Sequence, residues 1–502
     1  MVAACSDGAN EGRTTQTVAP ESVVSADTQA TTPPDTDPPE TTPDTSDSGA
    51  GTITWNDYGD GTSDGMLEVP MDYTRTDGPT ISLYVVRHAA ADPANRIGSL
   101  LVNPGGPGSG GSGLAFAAGN IYGQQLLDRF DIIGWDPRGT GFSEPAVDCV
   151  DDYDRYFGLY SSPDTPQERQ ALIDAGNEFG EACAAALGET LGYVSTENSA
   201  RDMDAIRQAL GEDTISYFGF SYGSELGATW ATLFPDTVRA VVIDGAVDPT
   251  VPYLQQNLQQ AAGFEATFST FLAACSSTPT CAFHNDGDAE GAYDRLAEEI
   301  DRQPVTVGGG RTDITQGVLT TAVAYAMYDQ SSWPQLEQAL ADLQVGDGDG
   351  VVALYDGYYG YDGSEWNDSY EAYFAIACLD DPGSTGPDDL YSHEAEFAAA
   401  APRLGRSWMA ELTFCSVWPE PAVGQVRITG NGAGPILVVG TTGDAATPLE
   451  STRNMARALE DGHLVIVDAD QHTGYGLNSC VNAAVDNYLV DPTVPLDDEL
   501  IC

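Results

Sequence analysis

The stretch ISYFGFSYGSELGATWA, Ile215 to Ala231, decides how the rest of the chain is read. Its first residues form an apolar, strand-like run, and the residues after it have helical character. Between the two, Gly219-Phe220-Ser221-Tyr222-Gly223 spells G-x-S-x-G. A tight turn from strand to helix forces its central serine into a strained and exposed position. The N-terminal end of the following helix favours negative charge developing at the same point. Ser221 therefore reads as a nucleophile.

The flanking sequence repeats this alternation. Strand-like runs occur at MLEVPMDY, TISLYVVRHA, GSLLVNP, FDIIGWD, TISYFGF, VRAVVIDG, PILVVG and HLVIVDA, with helical stretches such as ARDMDAIRQALG between them. Continuous β-branched runs belong to strands buried on both faces, so the expected fold is a doubly wound α/β domain with a mostly parallel sheet. The alternation stops between about Pro249 and Gln425, where helices and aromatic loops such as LYDGYYGYDG take over. The expected organisation is a core over 51–249, a mainly helical cap over 250–424 and a second part of the core over 425–502. Within the cap, NDGDAEGAYDRLAEE has the look of a calcium loop, but position twelve from Asp286 is Ala297 rather than Glu. It reads as an acidic turn into a helix, and no metal site is expected.

A protonated serine hydroxyl is a poor nucleophile and needs a base. Of His88, His284, His393, His463 and His472, only His472 follows the last core strand on a glycine-flanked loop, VDADQHTGYG. His463 begins that strand and His88 ends an early one, while His284 and His393 fall in the cap. The imidazole in turn needs a carboxylate to fix its tautomer. Asp444, in PILVVGTTGDAATP, stands after the penultimate strand and gives the chain order Ser, Asp, His. Its chief rival is Asp248, one strand earlier, and Asp468 and Asp470 lie too close to His472 in sequence. Asp444 also fits an Asx-turn, with Thr447 and Pro448 opening the next helix.

The run LVNPGGPGSGGSG, Leu101 to Gly113, poses a separate question, because Gly106, Gly108 and Gly111 match a dinucleotide-binding loop. Pro107 removes an N–H from the middle of that supposed cradle. Asp131, where a ribose-binding acid is expected, begins its strand rather than ending it. An acyl-transfer enzyme needs two N–H donors for its oxyanion, one from the residue after the nucleophile and one from a loop after an early strand. Tyr222 and Gly106 fill those places, and no cofactor is expected.

Composition excludes whole classes of chemistry. The 502 residues carry 77 acidic and 19 basic side chains, and all of the basic ones are arginine. A chain without lysine has no Walker A loop, pyridoxal Schiff base or Ser-Lys dyad. The acidity extends well beyond the N-terminal segment, so nucleic acid is excluded as a partner. No apolar run is long enough to span a membrane. Residues 1–50 are rich in Thr, Pro, Ser and Asp and read as a disordered tether. Cys5, in MVAAC, has the form of a lipobox end, which would anchor that tether to a membrane through lipid. Eight further cysteines form an even set suited to an oxidising compartment. Neighbour pairing (Cys149–Cys183, Cys275–Cys281, Cys378–Cys415, Cys480–Cys502) closes the shortest loops and is the expected arrangement.

Taken together, NPGGPG, DPRGTGFS, FGFSYGSELG followed by FPDTVRAVVIDGAVDP, GDAATP and QHTGYG resemble the secreted tripeptidyl-aminopeptidase branch of the α/β-hydrolase serine peptidases, related to prolyl aminopeptidases. AIACLD and CSVWP in the later cap share the likeness, which covers most of residues 53–502. Relatives often carry a further cysteine pair around the first strands, and this chain has none between Trp55 and Asp72. The resemblance implies an extracytoplasmic serine exopeptidase that removes short peptides, often tripeptides, from free N-termini. It places Ser221, Asp444 and His472 in the triad and Gly106 with Tyr222 in the oxyanion hole. An exopeptidase must also read the substrate's α-ammonium, and Asp380 in AIACLDD is the first candidate, with Glu225 second. A secreted carboxylesterase using the same triad is the alternative. Oligomeric state leaves no mark on the sequence.

Overall fold

The computed structural model describes residues 51–502, apart from 76, 160 and 164. Cys5 and the tether lie outside the described residues.

Among the described residues ten strands form one sheet: β1 (Asn56–Asp57), β2 (Thr62–Pro70), β3 (Thr80–His88), β4 (Gly98–Asn103), β5 (Phe130–Trp135), β6 (Ile215–Phe220), β7 (Val238–Asp244), β8 (Ile436–Thr441), β9 (Gly462–Val467) and β10 (Glu499–Ile501). Their spatial order is β1-β2-β3-β5-β4-β6-β7-β8-β9-β10. The first three strands and the β3–β5 pairing are antiparallel. From β5 through β4 to β10 every pairing is parallel. All eight strand-like runs of the sequence lie in this sheet. β1 and β10 are additions, too short and too exposed to carry a hydrophobic pattern.

Alternate residues of the central strands serve opposite faces, as the two-residue period of a strand requires. Leu101, Ile133, Tyr217, Val241 and Val438 pack into a core that continues into the helical insertion. Leu100, Ile132, Phe218, Val242 and Val439 pack on the other side, under the helix Ser479–Val490. Each face being covered, β4, β6 and β8 are buried along their whole length, which is why they read as continuous apolar runs.

Between β7 and β8 the chain is helical, beginning with Tyr253–Ser277 and including Gln316–Met327, Asp349–Tyr359, Ser369–Asp380 and Gly405–Glu411. The acidic turn caps a helix as expected: the Asp288 carboxylate accepts from the Gly291 N–H at the start of Ala289–Arg302. Aromatic rings bind the insertion to the core, with Phe157 stacked on both Tyr359 and Phe374. Glu371 ties the same region down, accepting from the N–H groups of Cys149 and Val150. Among the described residues four disulfides are formed, Cys149–Cys183, Cys275–Cys281, Cys378–Cys415 and Cys480–Cys502.

Candidate active site

Ser221 follows β6 directly and precedes the helix Gly223–Leu233. Its backbone is left-handed, with φ of 54°, an uncommon conformation for a residue with a side chain. The glycines around it leave no room for a Cβ. One on Gly219 would lie 2.3 Å from the Tyr217 hydroxyl, and one on Gly223 would lie 2.9 Å from Asn103 Oδ1. The Tyr217 hydroxyl donates to the Gly223 carbonyl at 2.7 Å and braces the turn. The Ser221 N–H donates to the Asp244 carbonyl at 2.8 Å.

His472 and Asp444 meet on neighbouring loops, one after β9 and one after β8. His472 Nδ1 lies 2.9 Å and 3.0 Å from the two Asp444 oxygens, and both side chains are buried. Asp444 also accepts from the N–H groups of Ala446 and Thr447 and from the Thr447 hydroxyl. Five donors, counting the imidazole, thus hold one carboxylate, if the longer 3.4 Å contact from the Thr473 N–H is included. The Asx-turn and the imidazole partnership coexist in one residue, so these two readings of Asp444 are not alternatives. The rival, Asp248, is occupied elsewhere: it accepts from Thr250, Gln259 and Asn454 and braces its own loop. The cap touches the base directly. The Tyr328 carbonyl accepts from the His472 N–H at 3.0 Å, and the two rings meet edge to face at 5.6 Å.

The glycine loop after β4 backs onto this turn. A Cβ on Gly105 would stand 2.8 Å from Ser221 Cβ and 3.1 Å from the Tyr222 nitrogen. Only bare backbone approaches so closely, and Gly105 is thereby set against Ser221 and Tyr222. The loop is held at both ends: the Gly105 N–H donates to Asn103 Oδ1, and Gly108 lies against the backbone of Ser369 and Tyr373 in the cap.

Above Ser221 lies a cavity of about 110 Å³, with Gly106, Tyr222, Glu225, Asp380 and Glu411 among its lining. Among the described residues that line it, none is Arg or His. Burial first, and then the Asp380 and Asp381 charges, push the Glu225 carboxyl up to about 8. Burial likewise raises Asp380 to about 7, although the Thr196 hydroxyl and N–H donate to it and pull the other way. Thr196 also bonds the Tyr222 hydroxyl, which links Asp380 to the residue after Ser221. Glu411 is raised to about 7 by burial, opposed by a hydrogen bond from the Tyr370 hydroxyl. Groups in this state take up charge readily when a cation arrives.

Of the histidines set aside, His284 bonds the Cys275 carbonyl, His393 pairs with Glu396 and His463 with Asp461. Three neighbours of the site were not singled out from sequence. Tyr328 carries no motif. Glu411 sits in the short helix Gly405–Glu411, one acid among many in an acidic chain. Asp244 ends the apolar run VRAVVID and is fully buried, and its carboxylate accepts from the N–H groups of Gly474 and Tyr475 just past His472. An acid closing a buried strand was the available signal for Asp244.

A strained serine with backbone donors beside it and an imidazole held by a carboxylate is an arrangement suited to acyl transfer. The alpha/beta hydrolase fold family matches residues 98–478 of the chain. The chain is 34% identical over 448 residues to Serine protease Hip1 of Mycobacterium tuberculosis, covering 86% of this chain and 85% of that one. Carboxylesterase B of Mycobacterium tuberculosis is 34% identical over 445 residues, covering 86% and 84%. Tripeptidyl aminopeptidase of Streptomyces lividans is 31% identical over 442 residues, covering 85% and 81%. The chain belongs to the alpha/beta hydrolase fold family and is a serine hydrolase.

Proposed function

We propose that this protein is an extracytoplasmic serine exopeptidase, releasing short peptides, chiefly tripeptides, from free N-termini through an acyl-enzyme. The observation that carries the reading is a cavity that holds Ser221 together with one buried carboxyl, Asp380, and two half-buried ones, Glu225 and Glu411, and that is lined by no basic side chain among the described residues. Such a cavity attracts a substrate's cationic end. Relatives named as a serine protease and a tripeptidyl aminopeptidase support it.

In this reading His472 takes the Ser221 proton as the hydroxyl oxygen attacks the scissile carbonyl, and Asp444 holds the imidazolium that forms. The N–H groups of Tyr222 and Gly106 bind the oxyanion, each worth about 3–4 kcal/mol in the transition state. His472 then protonates the leaving amine. A water, deprotonated by the same imidazole, attacks the ester carbon and frees Ser221. Asp380 and Glu225 take the α-ammonium and set how much peptide lies between it and the reacting carbonyl. The tether and Cys5 belong to the same reading, as a spacer and lipid attachment at the cell surface.

Carboxylesterase B, as similar to this chain as the protease, gives the esterase reading its own support. A tripeptide aminomethylcoumarin, its N-acetylated form and p-nitrophenyl butyrate separate the two. The exopeptidase cleaves the free peptide at least about tenfold faster than the acetylated one, the cost of leaving a buried charge unpaired. Equal rates on both peptides, or turnover of the ester alone, would overturn the reading.

A further inference from the structure

A single α-ammonium accounts for one acidic end of the cavity and leaves another unexplained. Glu225 and Asp380 act on each other electrostatically, so they form one locus beside Tyr222. Glu411 stands at a different place, on the insertion helix Gly405–Glu411. Its carboxylate marks the junction of two spaces: it lines the cavity over Ser221 and also a second, mainly apolar one of about 50 Å³. Tyr358 and Trp408 line both spaces with it. After burial, the Glu411 charge is the next influence holding the Tyr359 and Tyr370 hydroxyls well above their ordinary range, and it acts on Tyr358 and Tyr373 too. The carboxylate accepts from the Tyr370 hydroxyl and shares its two cavities with the Tyr358, Tyr359, Tyr373 and Trp408 rings. Tyr370 and Tyr373 stack at 5.2 Å, and Tyr358 and Tyr370 meet at 5.7 Å.

These surroundings are wrong for a bare α-ammonium, which has no apolar stem and needs several acceptors. They suit a charged head carried on a methylene chain. Ring faces attract cations and pack against aliphatic carbons, and the carboxylate supplies the counter-charge. We propose that Glu411 and its tyrosines form a subsite for a basic side chain, lysine or arginine, of the peptide substrate.

The inference rests on the exopeptidase reading and deepens it by naming a substrate class. Its test compares fluorogenic tripeptide substrates of the intact protein with lysine or norleucine at each of the three positions in turn. At one position lysine exceeds norleucine by about tenfold or more in kcat/KM, the usual scale for a desolvated charge pair. Glu411→Gln brings that ratio to within about twofold of unity. Absence of any lysine preference, or its survival in Glu411→Gln, overturns the proposal. So does loss of the free-over-acetylated preference in that variant, which would make Glu411 a reader of the α-ammonium. Should Glu411→Gln fail to fold, the wild-type ratio decides: it falls as pH drops through about 7, where Glu411 takes up its proton. A ratio flat with pH overturns the proposal.

If free and acetylated peptides are cleaved alike, the exopeptidase reading fails while the lysine-to-norleucine ratio still reports on Glu411. If no peptide is cleaved, calorimetric titration of Ser221→Ala with the two uncleaved tripeptides supplies the ratio as one of Kd.

Discussion

Asp444, buried on the floor of the site, and Glu411, half-buried in its roof, are both carboxylates withdrawn from water, and their surroundings are opposite. Asp444 is met by two backbone N–H groups, a hydroxyl and an imidazole from its own two loops. Glu411 is met by the Tyr370 hydroxyl and shares its cavities with aromatic side chains, and burial drives it toward neutrality. The first charge is stabilised before any substrate arrives. The second is left wanting a cation. Preorganisation marks the part of a site that acts on the reaction, and unmet charge marks the part that acts on the ligand.

The contrast can be broken from the floor upward. The largest effect is expected of Asp444→Asn, which keeps the shape but presents the wrong partner to the imidazole. kcat should fall about 10⁴-fold with folding intact by circular dichroism. A fall of less than tenfold would shift the role to another acid, with Asp244, on which the His472 charge acts, the first candidate. Gly105→Ala comes next. Its methyl would stand 2.8 Å from Ser221 Cβ, and its backbone has a φ of 102°. The loop must withdraw, and kcat should drop by about 10²–10³-fold, as when an oxyanion donor is lost, with KM little changed. An unchanged kcat would mean the loop is not part of the oxyanion hole.

The roof responds in the opposite sense. Glu225 is held near 8 in the folded protein, above its ordinary value of 4.5. A carboxyl raised on folding favours the native state at low pH, and that advantage is lost as pH rises through the folded value. Glu225→Gln should therefore raise Tm at pH 8 and leave it unchanged at pH 4, a small effect readable by differential scanning fluorimetry. A lower Tm at pH 8 would mean that the hydrogen bond Glu225 accepts from the Gln425 side chain outweighs the burial of its charge.

The same division decides what could be read without coordinates. The floor is written locally: a turn with no room for a Cβ needs glycine at 219 and 223, and strands covered on both faces need continuous apolar runs. Each of these demands falls on residues adjacent in the chain, so motifs record it. The roof is assembled from rings and acids on helices far apart in sequence. Glu411 gains its character from Tyr370, forty-one residues earlier, and from a cavity shared with Tyr358. In a chain with 77 acids, nothing local distinguishes that one. Asp248 shows the reverse, its position fitting the triad acid until Gln259 and Asn454 are seen to hold it.

The four disulfides carry a consequence for how the protein is made. From Cys149 onward each cysteine is bonded to the next one in the chain, 149 to 183, 275 to 281, 378 to 415 and 480 to 502. A chain delivered N-terminus first into an oxidising compartment exposes its thiols in that same order. With Cys5 set aside, every second cysteine to emerge finds its proper partner as the most recent free thiol. Of the 105 ways to pair eight cysteines, the native one is thus the pairing that simple order of arrival produces. Order of arrival by itself leads these eight cysteines to the native set.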